Sequence, residues 1–185
     1  MGAAMSEGSR NADGPQVWVY GPVPSRRLGL SLGVDLIPYK VCPFDCIYCQ
    51  VGRTTTKTTR RAEYVPADVV VEQVRVRLGE CPRPDYITLA GSGEPTLHSR
   101  LGWIIDRLKA MVDTPIALIT NGALFGDPHV RAEAAKADLV MPSLDAADEA
   151  TLEKVNRPCE GLTMEGIVEG VAAFRREDRG VFVLE

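Results

Sequence analysis

"PDYITLAGSGEP", residues 84–95, is the stretch on which the fold turns. A short apolar run from Tyr86 to Ala90 enters a loop of small residues, Gly91, Ser92 and Gly93, closed by Glu94 and Pro95. The run lacks the polar alternation of a strand with one wet face, so it reads as a strand buried on both sides. Upstream, "PADVVVEQVRVRLGE" (66–80) reads as a helix, with Pro66 near its first turn and Gly79 near its end. Downstream the pattern repeats: "LHSRLGWIIDRLKAMV" (97–112) is a helix, "PIALITNG" (115–122) a buried strand, "DPHVRAEAAKA" (127–137) a helix and "DLVMPSLD" (138–145) a strand. "ADEATLEKVN" (147–156) and "TMEGIVEGVAAFRRED" (163–178), the latter capped by Thr163, are helices, and "GVFVLE" (180–185) begins a final strand. This alternation predicts an α/β fold of βαβ units on a parallel sheet. Ligands of such a sheet gather beyond the carboxyl ends of its strands, which here carry "GSGEP", "TNG" and "SLD".

On the amino-terminal side, "VWVYGPVPSRRLGLSLGVDLIPY" (17–39) predicts two brief strands, near Val17–Tyr20 and Ser31–Ile37, joined by a Pro-rich turn. Residues 1–15 are small and polar and read as a disordered tail, leaving 16–185 as one core domain. The chain stops at Glu185, directly after an apolar strand, so the expected architecture is a partial (β/α) barrel truncated at its C-terminus. Hydrophobic residues at 45% and charged residues at 25% exclude a disordered or membrane-embedded chain. A net charge of −4 offers no global basic field for nucleic acid or anionic lipid. No apolar run is long enough to cross a bilayer and no signal-peptide pattern opens the chain, so a cytoplasmic protein is expected.

In a reducing compartment, clustered thiols bind metal or do redox chemistry. "YKVCPFDCIYCQVG" (39–52) places Cys42, Cys46 and Cys49 in a C-x3-C-x2-C spacing. A structural zinc site wants four N or S ligands; the fourth would be Cys81, Cys159, His98 or His129, none with motif-like spacing. A disulfide plus a free thiol is the second reading, and the compartment disfavours it. The third is a cubane iron–sulfur cluster, whose three-thiolate form leaves one iron with an open position.

The cysteine spacing, with aromatic Tyr48 just before the third cysteine, resembles the signature of the radical S-adenosylmethionine (radical SAM) superfamily. "GSGEP" is similar to that family's Gly-Gly-Glu-Pro loop, with Ser92 where a glycine often stands. "GPVPSRRLGLSLGVD" (21–35) and "NRP" (156–158) resemble the branch of iron–sulfur oxidoreductases related to wyosine-type tRNA-modifying enzymes. The resemblance implies a [4Fe–4S] cluster on Cys42, Cys46 and Cys49, with S-adenosylmethionine (SAM) chelated to the open iron. One electron would cleave SAM to methionine and a 5′-deoxyadenosyl radical, which abstracts hydrogen from a substrate. It implies adenine contact by Tyr48, acceptance of the SAM ammonium by Glu94 beside Gly91, Ser92 and Gly93, and SAM contacts from Thr120, Asn121, Ser143 and Asp145.

Arg157 is a candidate for the SAM carboxylate, since a guanidinium matches a carboxylate bidentately. Arg26 and Arg27 form a positive pair that a phosphate-bearing substrate could use. Cys81 and Cys159 read as ordinary cysteines, and the two histidines are assigned no role. The implied partners are an electron donor such as flavodoxin or ferredoxin and an unidentified substrate, a tRNA base by analogy, with no membrane. A cluster-binding accessory protein without SAM turnover and a zinc-binding interaction module are the rival readings.

Overall fold

Short apolar segments with small residues at their ends pair edge to edge because every buried N–H and C=O must find a partner. In the computed structural model, which describes residues 16–185, they form one six-stranded sheet. The tail expected over residues 1–15 lies outside the described residues. The strands are β1 (Val19–Ser25), β2 (Gly29–Val34), β5 (Tyr86–Leu89), β6 (Ile116–Thr120), β7 (Leu139–Pro142) and β8 (Val181–Phe182), in that spatial order. β1 and β2 form an antiparallel hairpin, and every later pairing is parallel. The remaining strands, β3 (Val41–Cys42) and β4 (Thr56–Lys57), make a separate parallel pair of two residues each. The order has two ends, so the sheet is an open, partial (β/α) barrel.

Helices α1 (Ala67–Glu80), α2 (Leu101–Met111) and α3 (Pro128–Ala134) alternate with the parallel strands, and α4 (Glu149–Val155) and α5 (Met164–Glu177) together connect β7 to β8. Period-two alternation gives the sheet two different faces. Leu32, Val34, Ile87, Leu89, Ile116, Leu118 and Val140 share the main core with Val70, Val74, Ile104, Leu108, Val130 and Phe174 from the helices. Ala117, Leu139 and Met141 form a second cluster on the other face, closed by Leu28 from the β1–β2 turn. Asp127, Asp148 and Thr163 cap α3, α4 and α5 through their side-chain oxygens.

The first strand differs from its expected span. It runs through Pro22 and Pro24, which a central strand would not tolerate, but β1 is an edge and its register slips between Tyr20 and Val23. Among the described residues no helix is long and apolar enough to cross a membrane.

Candidate cofactor site at the carboxyl ends of the strands

The segment from β3 to β4 carries the three clustered cysteines, Cys42 at the end of β3 and Cys46 and Cys49 in the loop that follows, and lies across the carboxyl ends of the sheet. Val41 O accepts the Glu94 N–H at 3.2 Å, joining the loop to the segment after β5. Asp45 N donates to Asn156 O and Ile47 N to Val155 O, both at 2.9 Å, and Cys159 N donates to Pro43 O at 2.8 Å. The loop is thus clamped between the end of β5 and the end of α4, which fixes where its thiols stand.

All three thiols are free and half-buried, and each sulfur faces an N–H donor. Asn121 Nδ2 stands 3.5 Å from Cys42 Sγ, Asn156 Nδ2 is 3.5 Å from Cys46 Sγ, and Lys40 Nζ is 2.9 Å from Cys49 Sγ. Burial, aided by the nearby Glu94 carboxylate, pushes the Cys42 thiol up to about 12, and burial raises Cys46 as well. A metal binding these thiols would release their protons. A cleft of about 350 Å³ opens beside them, lined by Asp45, Cys46, Ile47, Cys49, Gly52, Arg53 and Arg157.

Among the described residues no three His, Cys, Asp or Glu side chains gather as one metal ion requires. A zinc module's ligands all reach one ion at roughly 2.0–2.3 Å. A cubane instead takes each thiolate on a different iron. Three free thiols, each met by an N–H donor beside a cleft, fit that cluster.

The other candidate residues fall into two sets. Glu94 is 3% exposed, and its carboxylate accepts four hydrogen bonds: from Thr96 N at 3.0 Å, the Thr96 and Thr120 hydroxyls at 2.6 Å, and Asn121 N at 2.8 Å. Burial raises its pKa, and these donors pull in the opposite direction. Glu94 therefore ties the "GSGEP" loop to the end of β6, and Thr120 and Asn121 belong to the same joint. The glycines have a reason the sequence did not show. A Cβ on Gly93 would lie 2.1 Å from Val41 O, and one on Gly91 2.5 Å from the Asp35 carboxyl carbon. The Asp35 carboxylate accepts the Ser92 N–H at 2.9 Å and orients that loop.

The second set sits at the ends of β7 and α4. The Tyr48 hydroxyl donates to the Asp145 carboxylate, and Asn156 Nδ2 reaches Asp145 Oδ2 at 3.2 Å and Tyr48 Oη at 3.3 Å. Burial, with the Asp145 carboxylate next, pushes the Tyr48 hydroxyl well above its usual value. Asp145 does not cap α4; Asp148 does. Ser143 and Asp145 line a small cavity with Asn121 and Asn156.

Arg157 has φ of 49° and donates its N–H to Leu152 O, taking the left-handed position after a helix that glycine usually fills. Its side chain faces the cleft, 3.6 Å from Asp45. Asp45 is held below its usual pKa by the Thr54 N–H first, then by Arg53, Arg157 and Lys40. Arg27 is committed to an ion pair with Glu185. Cys81 ends α1, at the opposite rim of the sheet. Asn156, Lys40 and Asp35 are the residues sequence reasoning missed.

The radical SAM superfamily model matches residues 36–184, four-fifths of the chain. The chain belongs to the radical SAM superfamily. Membership brings its cofactors, a [4Fe–4S] cluster and S-adenosylmethionine. This radical SAM chain is 41% identical over 167 residues to a Brachyspira hyodysenteriae protein named GTPase Obg, covering 90% of this chain and 25% of that protein. It is 42% identical over 168 residues to a UPF0026 protein of Methanocaldococcus jannaschii, covering 90% of this chain and 52% of that one. The chain thus spans about half, or less, of these relatives. Among solved structures, TYW1 with a lysine-pyruvate adduct bound aligns with a TM-score of 0.57 at 17% identity, over 83% of this chain and 54% of that one. Native anSMEcpe with bound AdoMet aligns at 0.56 and 19% identity, over 80% of this chain and 43% of that one. Both likenesses are of fold.

Proposed function

We propose that Cys42, Cys46 and Cys49 hold the [4Fe–4S] cluster and that residues 16–185 form the core that binds SAM over it. The observation that carries this reading is the clamped loop of three free thiols, each facing an N–H donor, at the carboxyl ends of parallel strands in a chain matched by the superfamily model. When bound together, the two cofactors supply reductive cleavage of the sulfonium C–S bond, giving a 5′-deoxyadenosyl radical that abstracts hydrogen. The chain's own work is to bind, orient and exclude water.

Asn121, Asn156 and Lys40 hold the sulfurs in place. Gly91, Ser92, Gly93 and Glu94 form the shelf proposed for the SAM amino group, and Thr120 supports it. Tyr48, Asp145 and Ser143 make the opposing wall, proposed for the adenosyl part. Arg157, held at the cleft by its backbone conformation, is proposed for the carboxylate of SAM. The electron donor is of the flavodoxin or ferredoxin class. The hydrogen donor is an unidentified substrate, with a tRNA base as the class implied by the wyosine-type branch the chain resembles.

The test is anaerobic turnover: the iron- and sulfide-reconstituted chain with dithionite and SAM, read by chromatography. Release of 5′-deoxyadenosine and methionine, absent without dithionite, is the expected result. A loaded cluster that leaves SAM intact would favour the accessory-protein reading over the enzyme.

A further inference from the structure

Lys40 is a buried cation held against one of the three sulfurs. Lysine is almost never fully buried unless paired, yet Lys40 is 3% exposed. Its ammonium points at a sulfur, Cys49 Sγ at 2.9 Å, rather than at a carboxylate. The residue is also anchored: its carbonyl accepts Thr55 N and Thr56 N at 3.1 Å each, and the Thr55 hydroxyl at 3.1 Å. A neutral thiol is a weak acceptor and poor company for a desolvated ammonium. A thiolate is a full anion, and charge-assisted bonds are roughly twice as strong as neutral ones. The geometry of Lys40 therefore places a positive charge directly on the sulfur that Cys49 would offer to a cluster.

We propose that Lys40 tunes the cluster, its fixed positive charge at Cys49 making the one-electron-reduced state easier to reach. The proposal rests on the cluster reading above. A [4Fe–4S] core of charge 2+ on three thiolates carries one net negative charge, and accepting one electron from a reductant adds a second. No bond forms or breaks in that step. A nearby cation stabilises the more negative state by Coulomb attraction, and more so away from water. The other donors at the sulfurs, Asn121 and Asn156, are neutral and longer at 3.5 Å. Arg53 and Arg157 also face the cleft, but both stand near Asp45, and the Arg53 side chain is 88% exposed and screened by salt. Lys40 also reaches the field of Asp45, but of these three cations it is the one that is buried and whose ammonium stands on a cluster sulfur.

The test is an EPR-monitored redox titration of the reconstituted full chain, wild type against Lys40→Met and Lys40→Arg. Met is expected to lower the ratio of reduced to oxidised cluster about tenfold at a fixed poise, a shift of about 59 mV for one electron. Arg, which keeps the charge, should stay close to wild type. Loss of cluster from the Met variant with retention in the Arg variant would also support a charge role at Cys49. Wild-type midpoints in both variants, or loss of cluster from both, would overturn the proposal while leaving the cofactor reading intact. A wild-type chain that takes up no iron would overturn that reading and this proposal with it.

Discussion

Cys42, Cys46 and Cys49 differ from Cys81 and Cys159 in company rather than in chemistry. The first three share a clamped loop with an N–H donor at each sulfur; Cys81 ends a helix on the far rim, and Cys159 touches the loop through its backbone. Replacing any one of the three by Ala should remove both iron and acid-labile sulfide from the reconstituted chain. Cys81→Ala and Cys159→Ala should keep the wild-type content, so iron and sulfide analysis separates the sets. His98, which sequence reasoning assigned nothing, is wholly buried. Its Nδ1 accepts Arg100 N at 3.1 Å, so Nε2 carries the hydrogen and donates to Val65 O at 2.9 Å. Burial holds its pKa below the ordinary 6.5. The unfolded chain therefore binds a proton that the folded chain refuses, and stability falls as pH drops below 6.5. Urea midpoints on either side of that pH should show the loss in wild type and a flatter dependence in His98→Gln.

Elements set these residues by contact between segments far apart in the chain. The approach of Val41 O to Gly93 locks the cysteine loop onto the end of β5. Gly93→Ala should displace the loop and reduce iron loading with the circular dichroism of the fold retained. Gly79→Ala, where a Cβ meets nothing within 4 Å, is the control that should leave loading unchanged. On the helix side, Thr163 accepts Gly166 N at 3.1 Å and starts α5. Thr163→Ala should cost about 1 kcal/mol, read as a lower urea midpoint with iron content unaltered.

At the scale of the whole molecule, the alternation of helix and strand and the three-cysteine spacing were legible in the sequence because both are local. Periodicity reports which face of an element is buried, and the motif lies within eight consecutive positions. What escaped was tertiary. Lys40 looks like any loop lysine until its ammonium is found against Cys49, and Asn156 meets Cys46 across 110 positions of chain. A Cβ on Gly91 or Gly93 would run into the Asp35 carboxylate or Val41 O, close approaches that no local pattern announces. No period or spacing encodes such approaches; they follow from how the strand ends converge. The same convergence gives the fold its function, since residues from β5, β6, β7 and α4 surround one cysteine loop.

The central claim is that this loop holds a cluster with an iron open to SAM. The direct measurement is the EPR spectrum of the anaerobically reconstituted, dithionite-reduced chain with and without SAM. A [4Fe–4S]⁺ signal that changes shape when SAM is added is the expected result. A cluster signal indifferent to SAM, or one mononuclear metal per chain in place of iron and sulfide, would contradict the claim.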